Sequence, residues 1–175
     1  MKIEIIPIGD VNIDILKAVV DELNREFKSK IYIGEKMDIP KNSLNTYRGQ
    51  YDAEIILKEI EERKKSDEKA IGITSEDIYT SELNFVFGLA KKDVAVVSIS
   101  RLNPEFYGEH RNFDILVRRT KKEIIHELGH LFELAHCDNP RCVMSFSNSV
   151  SDVDDKSEEF CERCTMKMSM EGIQI

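Results

Sequence analysis

The chain has no tryptophan, two glutamines, four prolines and eight glycines among its 175 residues. That scarcity of Gly and Pro excludes a collagen-like or low-complexity polymer. Long apolar runs are missing too, and none approaches the roughly 20 residues a membrane-spanning helix requires. Basic residues are not in surplus. Lys and Arg number 25 against 33 Asp and Glu, so the net charge is −8. This balance argues against a nucleic-acid or anionic-membrane partner. The opening MKIEIIPIGD has one basic residue, an acidic residue inside its apolar stretch and no small-residue cleavage site, unlike a secretory signal, so the expected compartment is the cytoplasm. The adjacent Lys121 and Lys122 read as ordinary solvated charge.

What is present fits one globular domain over residues 1–175. Hydrophobic residues make up 41% and charged residues 33%, a mixture that excludes a disordered chain. The length is sufficient to bury a core. Alternation and isoleucine content mark Lys2–Ile8 as a strand, and the spacing of Ile15, Val19, Leu23 and Phe27 marks a helix capped by Asn12. Ile31–Ile33, Ala70–Ile73, Asn84–Leu89 and Val94–Ile99 read as further strands. Residues 34–50 and 102–112 read as loops, and Tyr51–Lys65 as a surface helix. A long helix runs from about Phe113 to about Phe132, and a short one from about Ser157 to about Met170. The order predicts an α+β fold, a mixed sheet with helices packed on it.

The chemistry is concentrated near one end. All four Cys and three of the four His lie in the 39 residues from His126 to Cys164. In a reducing compartment such a cluster points to metal rather than to disulfides. His126-Glu127-Leu128-Gly129-His130 is an HExxH on the long helix. Residues four apart differ by about 40° around the axis, so the two histidines share a face and can bind one zinc ion. Glu127 lies beside that face and is placed to take a proton from a zinc-bound water. Val117, Ile124, Leu128 and Leu131 fall on the opposite side and are the expected core contacts.

A third ligand requires a turn. On a continuing helix His136 would sit about 15 Å along the axis from His126, so the helix must stop between His130 and His136. Glu133 is the rival ligand, on the same helical face but a full turn beyond the pair. His136 is favoured because the reach of Glu133 is poor. Cys137, Cys142, Cys161 and Cys164 read C-x4-C and C-x2-C, the paired short spacings of a closed, structural tetrahedral zinc site. Two zinc ions per chain are therefore expected. Residues 136–175 would form a zinc-clamped subdomain whose thiolates fix the loop bearing His136.

The string HELGHLFELAHCDNPRCVM with the later CERC resembles the archaemetzincins, whose pattern is HExxHxxxxxHC-x4-C-x-M followed by CxxC. FVFGLA, VAVVSIS and RLNPEFYG extend the likeness upstream. The resemblance implies a zincin/metzincin-like fold, a twisted mixed sheet over an active-site helix. It implies a zinc metallopeptidase acting on peptides or proteins. In it His126, His130 and His136 map to the catalytic zinc, Glu127 to the general base, the four cysteines to a second zinc, and Met144 to the Met-turn beneath the catalytic metal. The metzincin pattern has Gly where this chain has Glu133. That departure raises the alternative of a catalytically weak, zinc-stabilised peptide-binding module. Phe146 stands where some metzincins have a Tyr that can reach the zinc, and without a hydroxyl it lacks that role. Tyr107 and His110 are further candidates for the cleft, and Val94–Ser100 is the candidate edge strand for substrate.

Overall fold

A run of isoleucines sets the centre of the sheet. β1 (Lys2–Ile8) alternates its side chains, so Ile3 and Ile5 face one core while Ile6 and Ile8 face another. The computed structural model describes residues 1–170. In it β1 lies between β2 (Lys30–Ile33) and β5 (Lys69–Thr74), both parallel to it. β8 (Val94–Ser98) adds in parallel to β5, and β7 (Gly88–Lys91) closes the order β2-β1-β5-β8-β7 as an antiparallel edge. A second sheet joins β3 (Leu44–Asn45), β4 (Gln50–Asp52) and β6 (Ile78–Tyr79).

Helices cover both faces, as parallel strands require. α1 (Ile13–Glu26) starts where the Asn12 side chain accepts the Asp14 N–H at 3.0 Å. It packs Ile15, Leu16, Val19 and Leu23 on one face of the sheet beside α3 (Phe113–Leu131). α2 (Ala53–Arg63) is capped by Asp52 and covers the other face with Ile56, Leu57 and Ile60. Val117, Ile124, Leu128 and Leu131 of α3 are all buried, as their spacing predicts.

Several expectations need correction. Residues 34–50 carry a 3-10 turn at Lys41–Ser43 and paired strand residues, not only loop. The strand expected at Asn84–Leu89 begins at Gly88. β8 is not an edge, because β7 lies outside it. The polar stretch after His136 contains α4 (Val150–Asp155), and the last helix, α5 (Glu162–Met170), starts five residues later than expected. Lys121 and Lys122 are not solvated: they are 3% and 5% exposed. Lys121 donates to Glu26 and Glu158 and lies 3.2 Å from Glu22. Lys122 donates to the Val153 and Asp154 carbonyls. Together they fasten α3 to α1 and to the segment after His136.

Candidate metal centres

His126 and His130 project from one face of α3, and each is oriented through its Nδ1. That atom lies 2.7 Å from the Val143 carbonyl in His126 and 2.7 Å from the Leu134 carbonyl in His130. A carbonyl only accepts, so both Nδ1 atoms carry the proton and both Nε2 atoms present bare lone pairs. Those two Nε2 atoms face each other at 3.1 Å. Neither can donate, so the approach is repulsive unless a cation lies between them. Burial lowers the pKa of all three clustered histidines, which keeps them neutral and able to ligate. His136 completes the group: one nitrogen from each ring lies within 4.8 Å of the others. Tetrahedral zinc with Zn–N of about 2.0–2.1 Å fits this donor set.

The helix stops by a Schellman turn. The Leu134 N–H bonds to the Gly129 carbonyl at 3.0 Å and the Glu133 N–H to the His130 carbonyl at 2.9 Å. Glu133 holds the left-handed position with φ 63°, where glycine is usual. The turn swings His136, and not Glu133, into the group around His126 and His130. Glu133→Gly should leave zinc binding intact and change stability by no more than about 1 kcal/mol, towards stabilisation. Relief of the left-handed strain is partly offset by a more flexible unfolded chain. Chemical denaturation checks this, and a larger loss would mean that the Glu133 side chain holds the turn.

The four cysteines also converge, with all Sγ atoms within 4.8 Å. Cys137 and Cys161 lie 3.8 Å apart, as do Cys142 and Cys164. A disulfide needs about 2.05 Å, whereas thiolates at about 2.3 Å from a tetrahedral zinc stand about 3.8 Å apart. The Cys164 N–H lowers the Cys161 thiol to about 7. Arg163 donates to Cys137 Sγ at 3.2 Å and pairs with Asp138. The Cys137 N–H bonds to the Met144 carbonyl at 2.9 Å, which ties the thiol cluster to the loop under the histidines.

Glu127 is 3% exposed, and its Oε2 has no hydrogen-bond partner. Burial raises its pKa well above the ordinary carboxylate value, neighbouring Glu123 raises it further, and Lys156 opposes both. It lines a cleft of about 540 Å³ between β7 and α3, together with the three histidines and Phe146. The Phe146 ring lies 5.1 Å from that of His136. Tyr107 and His110 do not line this cleft; the Tyr107 hydroxyl donates to the Arg101 carbonyl.

The profile of peptidase family M54 matches residues 2–170. The archaemetzincin of Methanocaldococcus jannaschii is 45% identical, over all of this chain and 97% of its own. That of Pyrococcus furiosus is 41% identical over 94% and 90%. The crystal structure of the Methanopyrus kandleri archaemetzincin superposes with TM-score 0.85 and 37% identity, covering 97% of this chain and 94% of that one. The Archaeoglobus fulgidus archaemetzincin, complexed with malonate, gives 0.84 and 35% over 95% and 99%. The chain belongs to peptidase family M54, the archaemetzincins. It is a zinc metallopeptidase with a mixed α+β fold, and its Cys cluster lies in the segment after the active-site helix.

Three features of this archaemetzincin escape motif reading. Gly129, inside HELGH, carries no side chain because Met144 occupies the space. A Cβ there would meet the Met144 sulfur and come within 3.0 Å of its Cε and of Phe160. Glu123 forms a buried ion pair with Lys156 at 2.8 Å, one helical turn before Glu127. The signal for that pair was present: two glutamates four apart on one buried face need a cation. Lys156 Nζ also reaches the Ser145 carbonyl at 3.4 Å, which joins α3 to the loop beyond Met144. The third feature is Gly88, opposite Glu127.

Proposed function

We propose that the chain hydrolyses peptide bonds in peptides or proteins, with His126, His130 and His136 holding a catalytic zinc and Glu127 as the general base. The observation that carries this reading is the pair of proton-free Nε2 atoms at 3.1 Å beside a buried, unpartnered carboxylate in an open cleft. When bound, zinc supplies a Lewis acid that polarises the scissile carbonyl and acidifies the attacking water. Glu127 takes the proton of that water and hands it to the leaving amine. Met144 is the floor of the site, and Cys137, Cys142, Cys161 and Cys164 hold a second, structural zinc, so each chain carries two. Residues 136–170 then act as a clamped subdomain of a single domain, and the last five residues of the expected 136–175 lie outside the described residues.

The substrate strand pairs with the free edge of β7, as in strand addition. The Ser98 N–H bonds to the Phe87 carbonyl, so by the antiparallel alternation Phe87 and Leu89 bond inward to β8. Gly88 and Ala90 turn their N–H and C=O groups to the open edge. Nucleic acid and membrane are not partners in this reading. Among the described residues no helix is long and apolar enough to cross a membrane, and the four thiols suit the cytoplasm. The alternative of a weak binding module drew its support from Glu133. That support falls away, since Glu133 adopts the conformation the turn needs.

Digestion of an unbiased peptide library by zinc-loaded protein, with metal analysis and a chelator control, tests the proposal. Chelator-sensitive cleavage and two zinc ions per chain are expected. No cleavage, or cleavage indifferent to chelator, would overturn it.

A further inference from the structure

We infer that Gly88 is a positioning residue for the general base: the space left by its missing side chain is the seat of the Glu127 carboxylate. The inference rests on the catalytic role proposed for Glu127. Glycine weakens a strand interior and is placed there when something must approach closely. Nothing in the backbone demands it here, since Gly88 is not among the residues with positive φ. A Cβ at this position would lie 2.7 Å from Glu127 Cδ and 2.8 Å from Cγ, and closer still to Oε1. All three nearest atoms belong to Glu127, so this one side chain accounts for the glycine.

The seat matters because little else holds the carboxylate. Its Oε2 has no hydrogen-bond partner, and its charged neighbours Glu123 and Lys156 pair with each other. Steric contact with the edge strand therefore sets where the acceptor oxygens stand. The same residue turns its backbone groups towards the open edge. Gly88 thus fixes both the general base and the strand on which substrate would lie, which sets the distance between proton acceptor and scissile bond. A methyl group at 88 would leave the fold and the histidines in place but displace a flexible carboxylate. A misplacement of about 1 Å can cost about 10²-fold in rate.

The test compares Gly88→Ala in the native background and in Glu127→Ala, using full-length zinc-loaded protein. Zinc content, thermal midpoint, kcat and KM are measured on a library-derived peptide. In the native background G88A should retain its zinc, lower kcat by about 10²-fold with little change in KM, and lower the thermal midpoint. In the Glu127→Ala background the carboxylate is gone, so the same methyl should leave the midpoint unchanged or raise it. An active native enzyme with undiminished kcat in G88A would overturn the inference. So would an equal fall in midpoint in both backgrounds. If the native protein cleaves nothing, the catalytic proposal fails, while the paired midpoints still decide whether the carboxylate occupies this seat.

Discussion

Glu127→Gln should retain its zinc and lose about 10²–10⁴-fold in turnover. Glutamine has the same shape and fills the same seat but cannot accept a proton, so the loss reports general-base catalysis alone. In the proposed site three imidazoles hold the metal without help from this side chain, so metal content should match the native protein. The substitution has a second signature in the metal-free protein. Burial raises the Glu127 pKa in the folded state, so the folded form binds the proton more tightly than the unfolded one. Stability is then fully present below the unfolded carboxylate value of about 4.3 and falls as the pH rises through the folded value. The glutamine variant lacks this titration, so the stripped variant should unfold at a higher temperature than stripped native protein at neutral pH. Turnover, metal analysis and melting at two pH values check the three parts. Native turnover in Glu127→Gln would remove this residue from the mechanism.

Cys164→Ala should cost more than its own metal. Structural zinc sites contribute about 10–16 kcal/mol of apparent binding energy in small zinc-dependent folds, and here that energy would add to the grip that Lys121, Lys122 and Glu123 already have on residues 153–158. The thiol cluster also borders the histidine cluster. Cys137 follows His136 directly, and its N–H bonds to the Met144 carbonyl. Opening the thiol site should therefore loosen His136, the residue that precedes Cys137. On the proposed two-zinc scheme, zinc per chain should fall from two to one or less, and the remaining zinc should bind about 10–100-fold more weakly, the usual cost of losing outer supports. Competition with a chromogenic chelator measures both quantities. A variant that keeps one zinc at native affinity would show that the two centres are independent.

Local spacing carried the metal sites. His126, His130 and the CxxC pair declare themselves because a helix repeat and a short loop bring their atoms together with no help from distant residues. The sheet was readable for the same reason, since alternating isoleucines in β1 mark two cores. What went unread depends on contacts across the chain. Lys121 is buried because glutamates from α1 and Glu158 surround it, and no local pattern separates it from a solvated lysine. α4 has six residues, too few to show a period, although Ser149 and Asp152 form a capping box that announces its start. The place of β7 outside β8 is a matter of strand order, which side-chain alternation does not encode. Gly88 and Gly129 are explained only by what stands opposite them, Glu127 and Met144.

The arrangement of ligands along the chain bears on how the protein matures. Among the described residues every strand of both sheets is complete by Ser98, and the first member of either candidate metal cluster is His126. During synthesis the sheet, α1 and α2 have therefore been made before any zinc can be held. The lysine anchors on α3, Lys121 and Lys122, likewise precede the residues they grip after His136. Any metal those clusters hold is therefore acquired after the strands have been synthesised. Peptidase activity would appear only once the last cysteine has left the ribosome.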